Sequence, residues 1–159
     1  MLSFKNLTSK ALIMQQPQFI PSSLSSYGVQ YLGQRALEAL MATAPQSVLG
    51  VIGFGADRPT YLGECPFARA AIEVIDGGAI FETWTVQGSA RTINLGGVTG
   101  SATDEIAFGL ITAPEHNARL ETSIHLAYRE IFDFIDDWGN GKSGIPIRFW
   151  NYLPRISDD

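Results

Sequence analysis

Apolar positions recur every three to four residues over two stretches of the chain and run continuously or alternate over several others. Val29, Leu32, Ala36, Leu40 and Thr43 follow the helical period and predict a helix to about Ala44, ended by Pro45. Leu120, Ile124, Ala127, Tyr128, Ile131, Phe134, Ile135 and Trp138 form a longer stripe of the same kind. Asn117 is placed as its N-cap and Gly139 as a left-handed stop. Val48 to Phe54 is an apolar run with glycines and predicts a buried strand, followed by a loop from Ala56 to Pro66 with two prolines. Ala70–Ile75 and Ala79–Val86 predict two strands joined as a hairpin by Asp76-Gly77-Gly78. In the second of these, Ile80, Glu82, Trp84 and Val86 alternate with Phe81, Thr83 and Thr85. Arg91–Val98 and Glu105–Thr112 suggest another hairpin, turning around Gly100 to Asp104. At the two ends, Lys10–Ile20 predicts a short strand interrupted by Pro17, and Ile145–Ile156 a final strand after the polar connection Asn140–Gly144. The order is β-α-β-β-β, then β-β-α-β. It suggests two similar α+β units in one chain, the second incomplete.

Composition narrows the function classes. At 159 residues, 45% hydrophobic and 17% charged, the chain can build a core. A net charge of −5 with scattered Lys and Arg leaves no basic patch for phosphates, so nucleic acid is not an expected partner. The single cysteine, Cys65, excludes an intramolecular disulfide and a multi-cysteine zinc site. His116 and His125 have no partner at ligand spacing, so neither metal nor cofactor is expected. No apolar run approaches a membrane span, the first eighteen residues lack the pattern of a signal peptide, and a cytoplasmic location is the expectation. The glycines of Gly50-Val51-Ile52-Gly53-Phe54-Gly55 lack the order of a dinucleotide fingerprint and read as close backbone packing in a strand.

Several segments together resemble the N-terminal half of the chorismatases. They are Val48–Phe54, Phe67-Ala68-Arg69-Ala70-Ala71-Ile72-Glu73-Val74, Glu105–Ala113 with its following helix, and above all Trp150-Asn151-Tyr152-Leu153-Pro154-Arg155-Ile156. The resemblance extends over most of the chain, and the full family chain is roughly twice as long. Members of that family split chorismate hydrolytically and release pyruvate. Their fold is similar to that of the reactive-intermediate deaminases. The resemblance therefore implies an α+β, YjgF/RidA-like (chorismate-mutase-like) mixed sheet with helices packed on one face. It also implies that the catalytic glutamate and most substrate-binding arginines belong to the family's C-terminal half, so that this chain alone is inactive. The implied partners are chorismate or a similar carboxylate, and either further copies of the chain or a C-terminal half.

Chorismate is a dicarboxylate carrying an enol ether, and its hydrolysis calls for cations on the carboxylates and an acid for the enolpyruvyl group. Arg155 and Arg148 are candidate carboxylate partners, or else ordinary surface ion-pair arginines. Tyr152 and Asn151 are candidate hydrogen-bond donors, with an aromatic in the core as the alternative for Tyr152. Pro66-Phe67-Ala68-Arg69 is similar to the deaminase segment whose arginine grips a carboxylate, which makes Arg69 a further candidate, with a scaffold role as its alternative. An enamine or imine deaminase and a non-catalytic assembly module are the competing functions.

Overall fold

In the computed structural model, residues 26–70, 78–112, 120–139 and 144–149 are described. Over them the chain is α+β, with two sheets stacked on each other and one helix on the outer face of each.

The first sheet has four strands in the order β1 (Tyr27–Gly33), β4 (Ile80–Val86), β2 (Val48–Phe54), β3 (Phe67–Ala70). β4 is antiparallel to both β1 and β2, and β3 runs parallel to β2. Helix α1 (Gln34–Thr43) connects β1 to β2, so β4 is inserted between two strands joined by a helix. Leu37 of α1, Val48, Val51, Leu62 and Phe81 form the core on this side of the sheet. The second sheet is an antiparallel meander of β5 (Arg91–Leu95), β6 (Val98–Ala102) and β7 (Ala107–Ile111). It meets the other face of the first sheet through Leu49, Ile52, Trp84, Val86, Ile106 and Phe108. Helix α2 (Leu120–Gly139) lies beyond the second sheet. Its Phe134 is buried and approaches Gly109, which by strand alternation faces away from Phe108.

Several expectations are corrected. The anticipated helix from Val29 begins only at Gln34, and Tyr27–Gly33 is a strand. Val29 and Leu32 satisfy a helical spacing, but Tyr27, Val29 and Tyr31 also alternate. Pairing with β4 along seven residues and the stacking of Tyr27 on Trp84 (5.9 Å, 8° between planes) decide for the strand. Of the expected hairpin strand Ala70–Ile75, only Ala70 is described, as the last residue of β3, which β2 separates from β4; residues 71–77, including Asp76 and Gly77 of the turn, lie outside the described residues. The segment 91–112 holds three strands rather than two: the chain turns at Gly96-Gly97, where Gly96 has φ 57°, and again at Thr103–Ile106. Gly139 is the last helical residue rather than a stop beyond the helix, and Asn117 lies outside the described residues. Gly144–Phe149 pairs with no strand among the described residues, against the expected final strand. Finally, the helices do not share one face of one mixed sheet; each covers its own sheet. The expected strand at Lys10–Ile20 lies outside the described residues.

Two glycines permit close approaches, Gly50 between the two sheets and Gly100 between neighbouring strands of the second. A Cβ on Gly50 would enter the ring of Phe108, and one on Gly100 would strike the Phe108 carbonyl on the neighbouring strand. A ring can give way more readily than a backbone carbonyl, so Gly100 is the stricter position. Gly100→Ala is expected to destabilise the fold by about 2–4 kcal/mol. Gly33→Ala, where a Cβ meets nothing within 4 Å, is expected to stay within about 1 kcal/mol. Urea unfolding of the two variants checks both.

Candidate functional site

The register of the first sheet lines up Tyr31, Glu82, Ile52 and Ala68 across its four strands. All four belong to the face that carries Trp84 and Ile52 toward the second sheet. The second sheet covers the neighbouring row, where Phe108 lies over Gly50 and beside Trp84 (6.4 Å between ring centroids). The row holding Glu82 instead borders a groove of about 890 Å³. The groove extends from Ile52, Ala68 and Trp84 along the edge strand β7 to Ile131, Phe134 and Trp138 of α2 and to the segment Gly144–Phe149.

Glu82 is 0% exposed, an acidic side chain in the middle of a sheet. Taking a carboxylate out of water costs several kcal/mol unless donors replace the solvent. Three donors converge on it. The Tyr31 hydroxyl donates to Oε2 at 3.0 Å, the Trp84 indole Nε1–H donates to Oε1 at 2.9 Å, and Arg148 Nη1 donates to Oε1 at 3.4 Å. The first two come from the strands themselves: Tyr31 is the direct cross-strand partner of Glu82, and Trp84 is two residues on, on the same face. The third comes from 66 residues away, in a segment outside both sheets. The Arg148 side chain is 47% exposed, so its guanidinium is half in the carboxylate's burial and half at the groove. Phe149 beside it lies 5.8 Å from the ring of Tyr128 on α2, and Gly144 sits against Ile135. The segment 144–149 is thus held between α2 and the first sheet.

Of the residues singled out in the sequence, Arg148 is at this groove. Asn151, Tyr152 and Arg155 lie outside the described residues. Arg69 is not brought together with Arg148. It follows Phe67 by two on β3, and Phe67 packs on the α1 side of the sheet whereas Ala68 faces the groove. Arg69 there pairs with Asp57 at 2.9 Å, both well exposed, a contact of little energetic weight. Glu82, Tyr31 and Trp84 were missed as a cluster. The signal was an acidic residue alternating with Ile80, Trp84 and Val86 on one strand face; it marks a buried charge only once that face is known to be interior.

A second, smaller pocket of about 260 Å³ lies where the loop before β3 meets the second sheet. It is lined by Arg58, Glu64, Cys65, Thr92, Asn94 and Thr99 among others. Arg58 is built into the loop: Nη2 donates to the carbonyls of Gly63 (2.6 Å) and Cys65 (2.8 Å), and its guanidinium lies 5.8 Å from the centre of the Phe67 ring. Burial pushes the Cys65 thiol from its ordinary 9.0 up to about 11, and Arg58 offsets only part of that. Among the described residues no cluster of His, Cys, Asp and Glu is arranged to hold a metal ion, and no helix is long and apolar enough to cross a membrane.

An α+β domain with a carboxylate-held arginine at an apolar groove defines a class but not a family. Comparison supplies a likeness: residues 82–159, just under half of the chain, match the model described as chorismatase FkbO/Hyg5-like, N-terminal. Over this stretch the chain is similar to the N-terminal part of that family. It spans Glu82, Trp84, Arg148, Asn151, Tyr152 and Arg155, while Tyr31, Arg69 and the two segments Val48–Phe54 and Phe67–Val74 lie outside it. No curated protein and no solved structure matches the chain.

The Cys65 environment has a measurable consequence. A thiol titrating near 11 is roughly one part in a thousand thiolate at pH 8, so alkylation of the folded protein should be slow there and should keep accelerating beyond pH 10. The native state holds this proton more tightly than the unfolded chain. Its contribution to stability is therefore complete below pH 9.0 and lost as pH rises through about 11. A pH profile of iodoacetamide labelling by mass spectrometry checks this; an inflection near the ordinary thiol value contradicts it.

Proposed function

We propose that this chain serves as the N-terminal portion of a chorismatase-like protein: it presents a carboxylate-binding arginine at an apolar groove and does not by itself hydrolyse chorismate. The observation that carries this is the match of residues 82–159 to an N-terminal chorismatase model, over the stretch that contains both Glu82 and Arg148. Arg148 is the carboxylate partner in this reading, with Asn151, Tyr152 and Arg155 of the same segment as further contacts. Glu82, the buried acid beside it, has both oxygens engaged by donors and acts as an acceptor rather than as the acid the enol ether requires. The division into two units, residues 1–88 and 89–159 on the deaminase-like plan, is supported by the chain leaving the first sheet after Val86 and entering the second at Arg91. Incubation of the purified chain with chorismate, with pyruvate read through a coupled assay, is expected to show no enzyme-dependent release. Enzyme-dependent pyruvate release contradicts the reading.

A second reading, a module that functions by assembling with further copies or with a separate C-terminal half, is favoured by one feature. Ile145 is 85% exposed, and Ile147, Phe149, Phe132 and Leu126 are also exposed on or beside α2. Large apolar side chains gathered on one region of a surface mark an interaction site more often than scattered ones do. Light scattering on the purified chain is expected to give more than a monomer, and a stable monomer at micromolar concentration contradicts this second reading. The remaining alternative, a stand-alone imine deaminase using Arg69, finds its arginine already paired with Asp57 on the opposite face from the groove.

A further inference from the structure

We infer that the smaller pocket binds a small zwitterion of the α-amino-acid type, with the carboxylate on Arg58 and the ammonium on Glu64. The inference goes beyond the chorismatase-like reading and does not depend on Arg148.

The face of the second sheet that meets the first changes character along its length. At Phe108 it is apolar, and the ring lies over Gly50 and beside Trp84. Two residues on, Leu110 faces the same way, and the register sets Thr99 and Asn94 in line with it across the three strands. Thr92, two before Asn94, shares that face. A row that packs on a facing sheet is normally apolar. This one carries hydroxyls and an amide instead, and Thr92, Asn94 and Thr99 all line the pocket. They are exposed, and none of the three side chains makes a hydrogen bond to a described residue.

Across from that row is the loop that carries Arg58. Leu62, 2% exposed, fixes the loop in the first core. Nη2 of Arg58 donates to the carbonyls of Gly63 and Cys65, and the guanidinium lies against the Phe67 ring. One nitrogen is thus committed to the loop and sets the guanidinium plane. The three N–H donors on Nε and Nη1 bond to no described residue, and Arg58 pairs with no described carboxylate. A carboxylate engages two such donors side by side. Glu64 lines the same pocket, exposed and without an ion pair to a described cation. Charges of both signs at one pocket favour a ligand that carries both. An inorganic anion or a dicarboxylate would gain from Arg58 and be repelled by Glu64. At about 260 Å³ the pocket is below the roughly 300–1,000 Å³ of sites for drug-sized molecules, which limits the ligand to a small one. The hydroxyls and amide of the facing row suit a short polar side chain.

The test is a titration of L-serine into the purified chain, followed by amide NMR. It is run beside N-acetyl-L-serine, which lacks the ammonium, serine methyl ester, which lacks the carboxylate, and inorganic phosphate. Serine is expected to bind at millimolar concentration or tighter, with shifts at Glu64, Asn94 and Thr99. Each of the other three is expected to bind on the order of tenfold more weakly. In Glu64→Gln the affinity for serine should fall to that for N-acetyl-L-serine, and the latter should stay as it was. In Arg58→Leu serine binding should be lost; should that variant loosen the loop, Glu64→Gln, at an exposed position, decides. Phosphate or N-acetyl-L-serine binding as tightly as serine means a plain anion site and overturns the inference. Equal weakening of serine and N-acetyl-L-serine by Glu64→Gln is a structural effect and overturns it too. So do shifts confined to Trp84 and Phe134, which would put the ligand in the larger groove, and so does the absence of serine binding at millimolar concentration. Pyruvate release from chorismate is a separate readout that bears on the earlier reading and leaves this one untouched.

Discussion

A carboxylate with no exposed surface, set in the middle of a four-stranded sheet, is the constraint around which this structure is arranged. As an acid, Glu82 demands donors. Two of them are inexpensive because they lie on the same sheet face, at the positions where side chains naturally meet. The third is Arg148, on the segment 144–149 that lies beyond α2 in the chain. The Glu82–Arg148 bond therefore links the first sheet to the C-terminal part of the described chain. The stacking of the sheets supplies the core, and this polar contact joins those of Phe149 with Tyr128 and Gly144 with Ile135 in holding the segment 144–149.

The layers themselves follow from ordinary burial. Leu37 of α1 with Val48, Val51, Leu62 and Phe81 makes one core. Leu49, Ile52, Trp84 and Phe108 make the other, and Gly50 and Gly109 let the second sheet and α2 approach closely. What remains uncovered is the row beside Trp84 and the edge of β7, and these border the groove. The position of the groove is thus a consequence of the second sheet being three strands wide over a first sheet of four.

How much of this was readable in the sequence differs by element. Val48–Phe54 was placed to the residue, because a short apolar run between Pro45 and a proline-bearing loop has few other solutions. The long stripe of α2 and the arrest of α1 before Pro45 were equally plain. Tyr27–Gly33 was misread because an edge strand half open to water carries few apolar residues, and those few also fitted a helical period. Gly96-Gly97 was passed over as strand interior, although glycine pairs of that kind are turn formers. The order of the strands was out of reach: that β2 separates β3 from β4 depends on contacts between residues some thirty positions apart. The same holds for the site. Arg148 was named from the resemblance to the chorismatases, but its partner Glu82 lies on β4 in the first sheet, and no spacing rule connects residues 66 apart. Arg69 was named from local similarity alone, and the alternation of β3 turns it to the other face of the sheet.

The measurement that bears most directly on this account is the coupling of Glu82 and Arg148 in the stability of the fold. It is obtained from urea unfolding of the wild type, Glu82→Gln, Arg148→Leu and the double variant. If the bond organises the structure as described, Arg148→Leu leaves a buried carboxylate short of a donor. The two substitutions are then strongly non-additive, with a coupling of about 1–3 kcal/mol, below that of a fully buried pair because the arginine is half in water. Effects that simply add, or a coupling within a few tenths of a kcal/mol of zero, would mean that the contact is incidental and that the segment 144–149 is placed by its apolar side chains alone.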